Sequence, residues 1–171
     1  MEFFEVVFSR TSVRSFNDRP LRSQEWDSLL RAAMAAPSAV NLQPWDFIIV
    51  ENRETLQRLA AELPYAKMAA QAGGAVVVCS TPHRANQGME EYAVIDASAA
   101  CENLLLAATA LGLGAVWTAV YPNADREAVV RRILGIPADV LPLALVPVGE
   151  PKGPQHPKDK YNSSMIHRER W

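Results

Sequence analysis

Between Met89 and Leu111 the chain carries a long helix-forming run whose second part, from Ala97 on, is apolar nearly all round. From Ala97 onward it reads Ala97, Ala99, Ala100, Cys101, Leu104, Leu105, Leu106, Ala107, Ala108, Ala110 and Leu111, while the acids Glu90, Glu91 and Asp96 stay in the first part. A surface helix shows an apolar stripe, and one apolar all round has to be covered all round. In a chain of 171 residues a second copy of the same helix is the economical cover, which predicts a homodimer centred on it; a monomeric core helix is the other solution. The twenty residues from Asn103 to Pro122 hold no formal charge, enough by count to span a membrane. Asn103, Thr109, Gly112, Gly114 and the Trp/Thr/Val stretch break that run into a helix end, a glycine turn and a strand. No membrane span is expected.

The remaining elements follow from periodicity and caps. Glu2 to Ser9 is a short helix rich in Phe and Val. Ser23 is placed to cap a helix from Gln24 to Ala36, with Trp26, Leu29, Leu30, Ala33 and Met34 as its apolar face and Pro37 as its stop. WDFIIV (45–50) is a strand, Asn52 caps a helix to about Leu63, and Pro64 opens a short helix that ends at Gly73 and Gly74. AVVVCS (75–80), nearly all apolar, is a central strand covered on both faces. AVWTAV (115–120) is one strand, Asn123 and Gly135 bound a further helix, and LPLALVPVG (141–149) is the last strand despite its prolines. Helices and strands mix without strict βαβ alternation, so the fold class is α+β, and no linker divides residues 1–171 into more than one domain.

Composition excludes several classes of function. Hydrophobic residues make up 49% and the net charge is only −2, which argues for a folded core over disorder and against a protein built to hold nucleic acid. Cys79 and Cys101 lie in apolar surroundings and form no CxxC, so they read as reduced core residues of a cytoplasmic protein. The first residues show no signal-peptide pattern. Charge is nonetheless uneven. Ser9–Arg22 and Pro151–Trp171 each carry +3, so the rest of the chain carries −8. Two basic segments at opposite ends suggest an anion site built from both, if the fold joins them; two solvated tails would give the same count.

Familiar chemical signatures are missing. There is no GxSxG, HExxH, CxxC or P-loop, and His83, His156 and His167 are scattered. Gly112-Leu113-Gly114 follows a helix, whereas a dinucleotide fingerprint follows a strand. Any catalysis therefore belongs to a bound cofactor. Three stretches remain. Ser9-Arg10-Thr11-Ser12-Val13-Arg14-Ser15-Phe16 sets two arginines four apart with hydroxyls between, suited to charge-assisted bonds to a phosphate or to polar ring atoms. Ala36-Pro37-Ser38-Ala39-Val40-Asn41-Leu42-Gln43-Pro44-Trp45 offers small residues that a flat ring approaches closely, with two amides beside them. Leu111 to Pro122 follows the apolar helix.

Together these stretches resemble the FMN-dependent nitroreductase family in its short form, over nearly the whole chain. The resemblance implies a nitroreductase-like sandwich, a mostly antiparallel sheet flanked by helices, in a homodimer whose C-terminal tail crosses to the partner's sheet. It implies two FMN molecules at the subunit interface. By position, Arg10, Thr11, Ser12 and Arg14 would hold the phosphate, ribityl chain and pyrimidine side; Pro37, Ser38, Ala39 and Asn41 would line the ring from the other subunit. Lys67 falls, across a one-residue gap, where relatives place a lysine at the N1/O2 edge. Ala119 and Val120 match the segment whose backbone amides face N5, and Lys158 and Lys160 match a basic pair that binds phosphate. Longer relatives have a helical insertion over the substrate side, where this chain has only Ser80 to Met89; the Thr81–Gly88 loop with His83 and Arg84 is the candidate cover.

The implied activity is an oxidoreductase passing hydride from NAD(P)H through flavin N5 to a nitroaromatic, quinone or similar small acceptor, by a ping-pong mechanism. No side chain need act as acid or base, and no metal is called for. The alternatives are a flavin-storing or redox-sensing module that is not an enzyme, another flavin reaction on the same fold, such as dehalogenation or azoline oxidation, and a structural dimer without FMN.

Overall fold

The computed structural model describes all of residues 1–171. Five helices, α1 (Phe3–Ser9), α2 (Ser23–Met34), α3 (Arg53–Glu62), α4 (Glu90–Ala110) and α5 (Ala124–Leu134), surround one sheet. Its strands are β1 (Trp45–Val50), β2 (Gly74–Ser80), β3 (Gly114–Ala115), β4 (Thr118–Ala119) and β5 (Leu141–Gly149), and every pairing between them is antiparallel. The order is β1-β2-β5-β3, with β4 beside β3 on the same edge of β5. The architecture is α+β, as the order of elements predicts.

Alternation along the strands feeds two cores. Val76 and Val78 of β2 pack with Leu29 of α2 and with Ala97, Ala100, Cys101 and Leu104 of α4. Ala75, Val77 and Cys79 face the opposite side, against Leu56 and Leu59 of α3 and Val130 of α5. Every residue of β2 is buried, which fits its unbroken apolar sequence. Each fully buried Val or Leu contributes about 1.5–3 kcal/mol of transfer free energy, so this strand anchors both layers.

Some local expectations give way to long-range partners. Ser23 does not cap α2. The cap is Arg22, whose N–H donates to the Glu25 carboxylate at 2.7 Å, while the Arg19 and Arg22 guanidinia hold that carboxylate at 3.0 and 2.8 Å. The helix ends at Met34, and the short helix expected after Pro64 is a 3-10 turn, Lys67–Gln71. AVWTAV is not one strand but two. β3 and β4 keep one register along β5, but between them the Val116 N–H reaches the carbonyl of Pro147, which has no N–H to return. Asn52, Asn123 and Gly135 (φ 68°) bound α3 and α5 as read from the sequence.

An arm of chain then joins the two basic segments. Ser12 bridges Ala115, the Val13 N–H donates to the Ala115 carbonyl at 3.1 Å, and Phe16 bridges Pro151. The Lys152 N–H donates to Ser15 at 2.9 Å, and Arg19 binds the Glu150 carboxylate at 3.0 Å. Gly114 makes the approach feasible, because a Cβ there would stand 2.7 Å from the Val13 side chain.

One chain does not cover α4 completely. The helix is long and apolar enough to cross a membrane, yet it packs on the sheet and α2, and ends at Ala110 before a turn at Gly112 (φ 72°). Its outer side keeps Ile95 63% exposed, and Phe3, Phe4 and Phe8 of α1 are similarly open.

Candidate functional site

The two basic segments converge. Arg10, Thr11, Ser12, Arg14, Lys158 and Lys160 line one cavity of about 190 Å³ with no acid and no apolar side chain in its wall. The arm formed by residues 12–19 brings Arg10–Arg14 there, and the chain leaving Pro151 brings the lysines. Arg10 lies 3.8 Å from Glu102, a loose pairing, and Arg14 makes none. Four cations and two hydroxyls suit a phosphate-sized anion.

Arg14 also lines a second cavity of about 400 Å³, with Pro64, Tyr65, Lys67, Met68, Val116, Trp117, Thr118, Ala119 and Arg126. Apolar walls with a few placed polar groups suit a planar ring carrying polar edges. Lys67 stands at the first position of the 3-10 turn, so it meets Arg14 in the same cavity. Strand parity decides which amides face it. The Val116 and Val120 N–H groups donate inward, to Pro147 and Leu143 of β5, so Trp117 and Ala119 turn their main chain to the open edge. Val120 is buried, its amide is committed to Leu143 at 3.1 Å, and it lines only a narrow crevice beside this cavity. Of the two residues expected at N5, Ala119 keeps its amide on the open edge and Val120 commits its own to Leu143.

Pro37, Ser38, Ala39 and Asn41 line neither cavity of their own chain. Their loop is nevertheless held tightly. Both oxygens of the buried Asp96 carboxylate accept the Ala39 N–H, at 3.0 and 3.1 Å, and Ser38 Oγ accepts the Gln43 N–H at 2.9 Å. Val40, Asn41 and Gln43 sit at φ 53°, 59° and 52°. A β-branched residue there is strained, and such strain persists where the surroundings impose it.

The Thr81–Gly88 loop lines neither cavity either. Arg84 is bound to the Trp45 carbonyl at 2.8 Å and to Asp46, and His83 lies 3.5 Å from Asp139. These contacts pin the loop at the start of β1 and at the turn that follows α5, so it is not the cover for this chain's cavity. His156 and His167 lie in the exposed tail. Both cysteines are free and buried, and burial pushes the Cys79 thiol up to about 12 and Cys101 higher still, so neither supplies a thiolate.

The sequence reading passed over Arg126. It is the third residue of α5, its guanidinium lies 4.9 Å from the Tyr65 ring centroid, and it donates to the Ala119 carbonyl at 3.1 Å. No spacing or motif around it signals that position.

The small basic cavity and the ring-sized one share Arg14 in their walls, an arrangement that suits an extended anionic ligand. Residues 7–63 and 60–150 match the family model described as "Nitroreductase family". A protein of Archaeoglobus fulgidus, provisionally named NADH dehydrogenase/NAD(P)H nitroreductase, is 39% identical over 173 residues, 99% of each chain. The solved structure of a Parabacteroides distasonis protein with the same provisional name has 44% identity and a TM-score of 0.94, covering 99% of this chain and 98% of that one. The FMN reductase (NADPH) of Bacillus subtilis is 28% identical over 184 residues, 96% of this chain and 72% of that protein. Carrying that fold along with the basic cavity its ends assemble, the chain belongs to the nitroreductase family.

Proposed function

We propose that this protein is an FMN-dependent NAD(P)H oxidoreductase, working as a homodimer. The observation that carries this reading is the junction at Arg14, where a wholly basic cavity meets a larger, mostly apolar one. The phosphate would lie among Arg10, Thr11, Ser12, Lys158 and Lys160, and the ring against Trp117 and Met68 with Lys67 and Arg14 at its polar edge. FMN, held there, would supply hydride-transfer chemistry through its N5, linking NAD(P)H to a nitroaromatic, quinone or similar acceptor in two half-reactions at one site.

The protein's own share is binding, orientation and charge. Lys67 and Arg14 place positive charge where the ring's pyrimidine end would gain electron density, and Ala119 offers an outward amide on the β4 edge. The strained Ser38–Asn41 loop of a second copy would complete the wall that one chain leaves open. Its rigidity, set by Asp96, lowers the ordering cost of that contact. The exposed Phe3, Phe4, Phe8 and Ile95 give that second copy an apolar surface to cover.

The test is a visible spectrum of the purified protein followed by anaerobic NADH or NADPH. A flavin spectrum that bleaches on addition supports the oxidoreductase. A flavin band that persists with both donors favours storage or sensing, and protein that neither carries nor takes up FMN overturns the reading.

A further inference from the structure

We infer that Arg126 is an anion contact for the substrate that stacks in the larger cavity, so that the site favours molecules bearing a carboxylate or phosphate group. This rests on the reading above and goes beyond it, because the two ends of FMN already have their partners. Eight of the chain's thirteen arginines form ion pairs; Arg14, Arg58, Arg126, Arg168 and Arg170 do not. Arg58 is exposed on α3, and Arg168 and Arg170 lie in the exposed tail. The other two line the same cavity, together with Lys67, and no acid lines it. Arg126 takes no part in the small basic cavity, so its charge is not spent on the phosphate held there.

Its geometry is that of a fixed recognition group. One guanidinium nitrogen donates to the Ala119 carbonyl at 3.1 Å, and the guanidinium carbon lies over the Tyr65 ring, 4.9 Å from its centroid. The remaining N–H groups of the fork have no acceptor in the protein. A guanidinium held by a cation–π contact and one carbonyl is oriented before a ligand arrives, and its unused edge matches a carboxylate or phosphate in two-point fashion. The anchor also locates it. Ala119 turns its main chain to the cavity, so Arg126 stands beside an amide expected to face the ring. The chemistry recognised is an anionic oxygen group, carried either on an aromatic acceptor or as the additional phosphate that separates NADPH from NADH.

The experiment compares the flavin-loaded protein with Arg126→Gln, which keeps a donor for Ala119 and loses the charge, and with Arg58→Gln as the control for net charge. Visible spectra are recorded first, and a parent protein that neither carries nor takes up FMN overturns both this inference and the function proposed above. Calorimetric titration with benzoate and with its neutral analogue benzamide then isolates the charge. Arg126→Gln is expected to weaken benzoate about tenfold and benzamide less than twofold, while Arg58→Gln leaves both unchanged. The same titration with NADP+ and NAD+, which leave the oxidised flavin unreduced, separates the sources: a loss confined to NADP+ assigns the contact to the nucleotide's additional phosphate and supports the anion contact equally. Equal losses for benzoate and benzamide together with equal losses for NADP+ and NAD+, or no loss in any, overturn it.

Discussion

Arg14 is the residue on which the two cavities turn. It lines both, makes no ion pair, and its only internal hydrogen bond is a long one to the Ser12 carbonyl, 3.4 Å. Little in the folded protein therefore depends on it, and its substitution reports on ligand binding. Arg14→Ala is expected to weaken FMN binding by about 1.5–3 kcal/mol, the range for a lost hydrogen bond to a charged group, without lowering the melting temperature of the flavin-free protein. Fluorescence titration of FMN measures it, and unchanged affinity would remove Arg14 from the site. Glu25 is the opposite case, structural and buried. Its two arginine partners hold its carboxyl down to about 2 from an ordinary 4.5. Because the folded value lies below the unfolded one, the stabilisation is complete above about pH 4.5 and is lost as pH falls toward 2. Glu25→Gln is expected to cost about 2 kcal/mol at neutral pH and to flatten the acid limb of a urea-midpoint profile between those values. A variant as acid-sensitive as the parent would assign that limb to other carboxylates.

At the scale of elements, what was legible in the sequence is what depends on neighbours along the chain. The buried β2 announced itself by an unbroken apolar run, and Asn52, Asn123 and Gly135 marked helix ends through bonds made within one turn. What was hidden depended on residues far away. AVWTAV breaks in two because Pro147, thirty residues on, lacks an N–H. Ser23 loses its cap role because Arg19 holds Glu25 in place. The same division runs through the site: the Arg10–Arg14 motif could be read directly, whereas Val120's commitment to Leu143 and Arg126's perch on Tyr65 exist only in three dimensions. The packing of the Arg10–Arg14 segment on β3 gives this a test. Gly114→Ala would set a Cβ 2.7 Å from the branched, buried Val13, which cannot swing aside. Overpacking of this kind costs about 1–3 kcal/mol, and the segment that yields carries Ser12 and Arg14 with it. The variant is expected to lose both melting temperature and FMN affinity. Lost stability with full flavin affinity would separate the packing of this segment from the site.

Over the whole molecule, the question is what the last residues do. Beyond Pro151 the chain adds no strand to its own sheet, and from Lys158 to Trp171 every residue is exposed. Such a segment buries nothing at home, yet it carries Lys158 and Lys160 into the basic cavity and ends in Ile166, His167 and Trp171, the last two stacked at 4.3 Å. An apolar tail end with no cover, beside a chain whose α1 and α4 also present open apolar faces, is explained if a second copy covers all three. On that reading, deleting Lys158–Trp171 removes both lysines of the basic cavity and part of the subunit interface together. The truncated protein is expected to shift toward monomer in sedimentation velocity and to lose flavin on gel filtration. The point variant Lys158→Ala/Lys160→Ala separates the two roles, because it should lose flavin affinity while remaining a dimer. A truncated protein that stays dimeric and yellow would place the tail outside both the interface and the site, and the anion cavity would then rest on Arg10 and Arg14 alone.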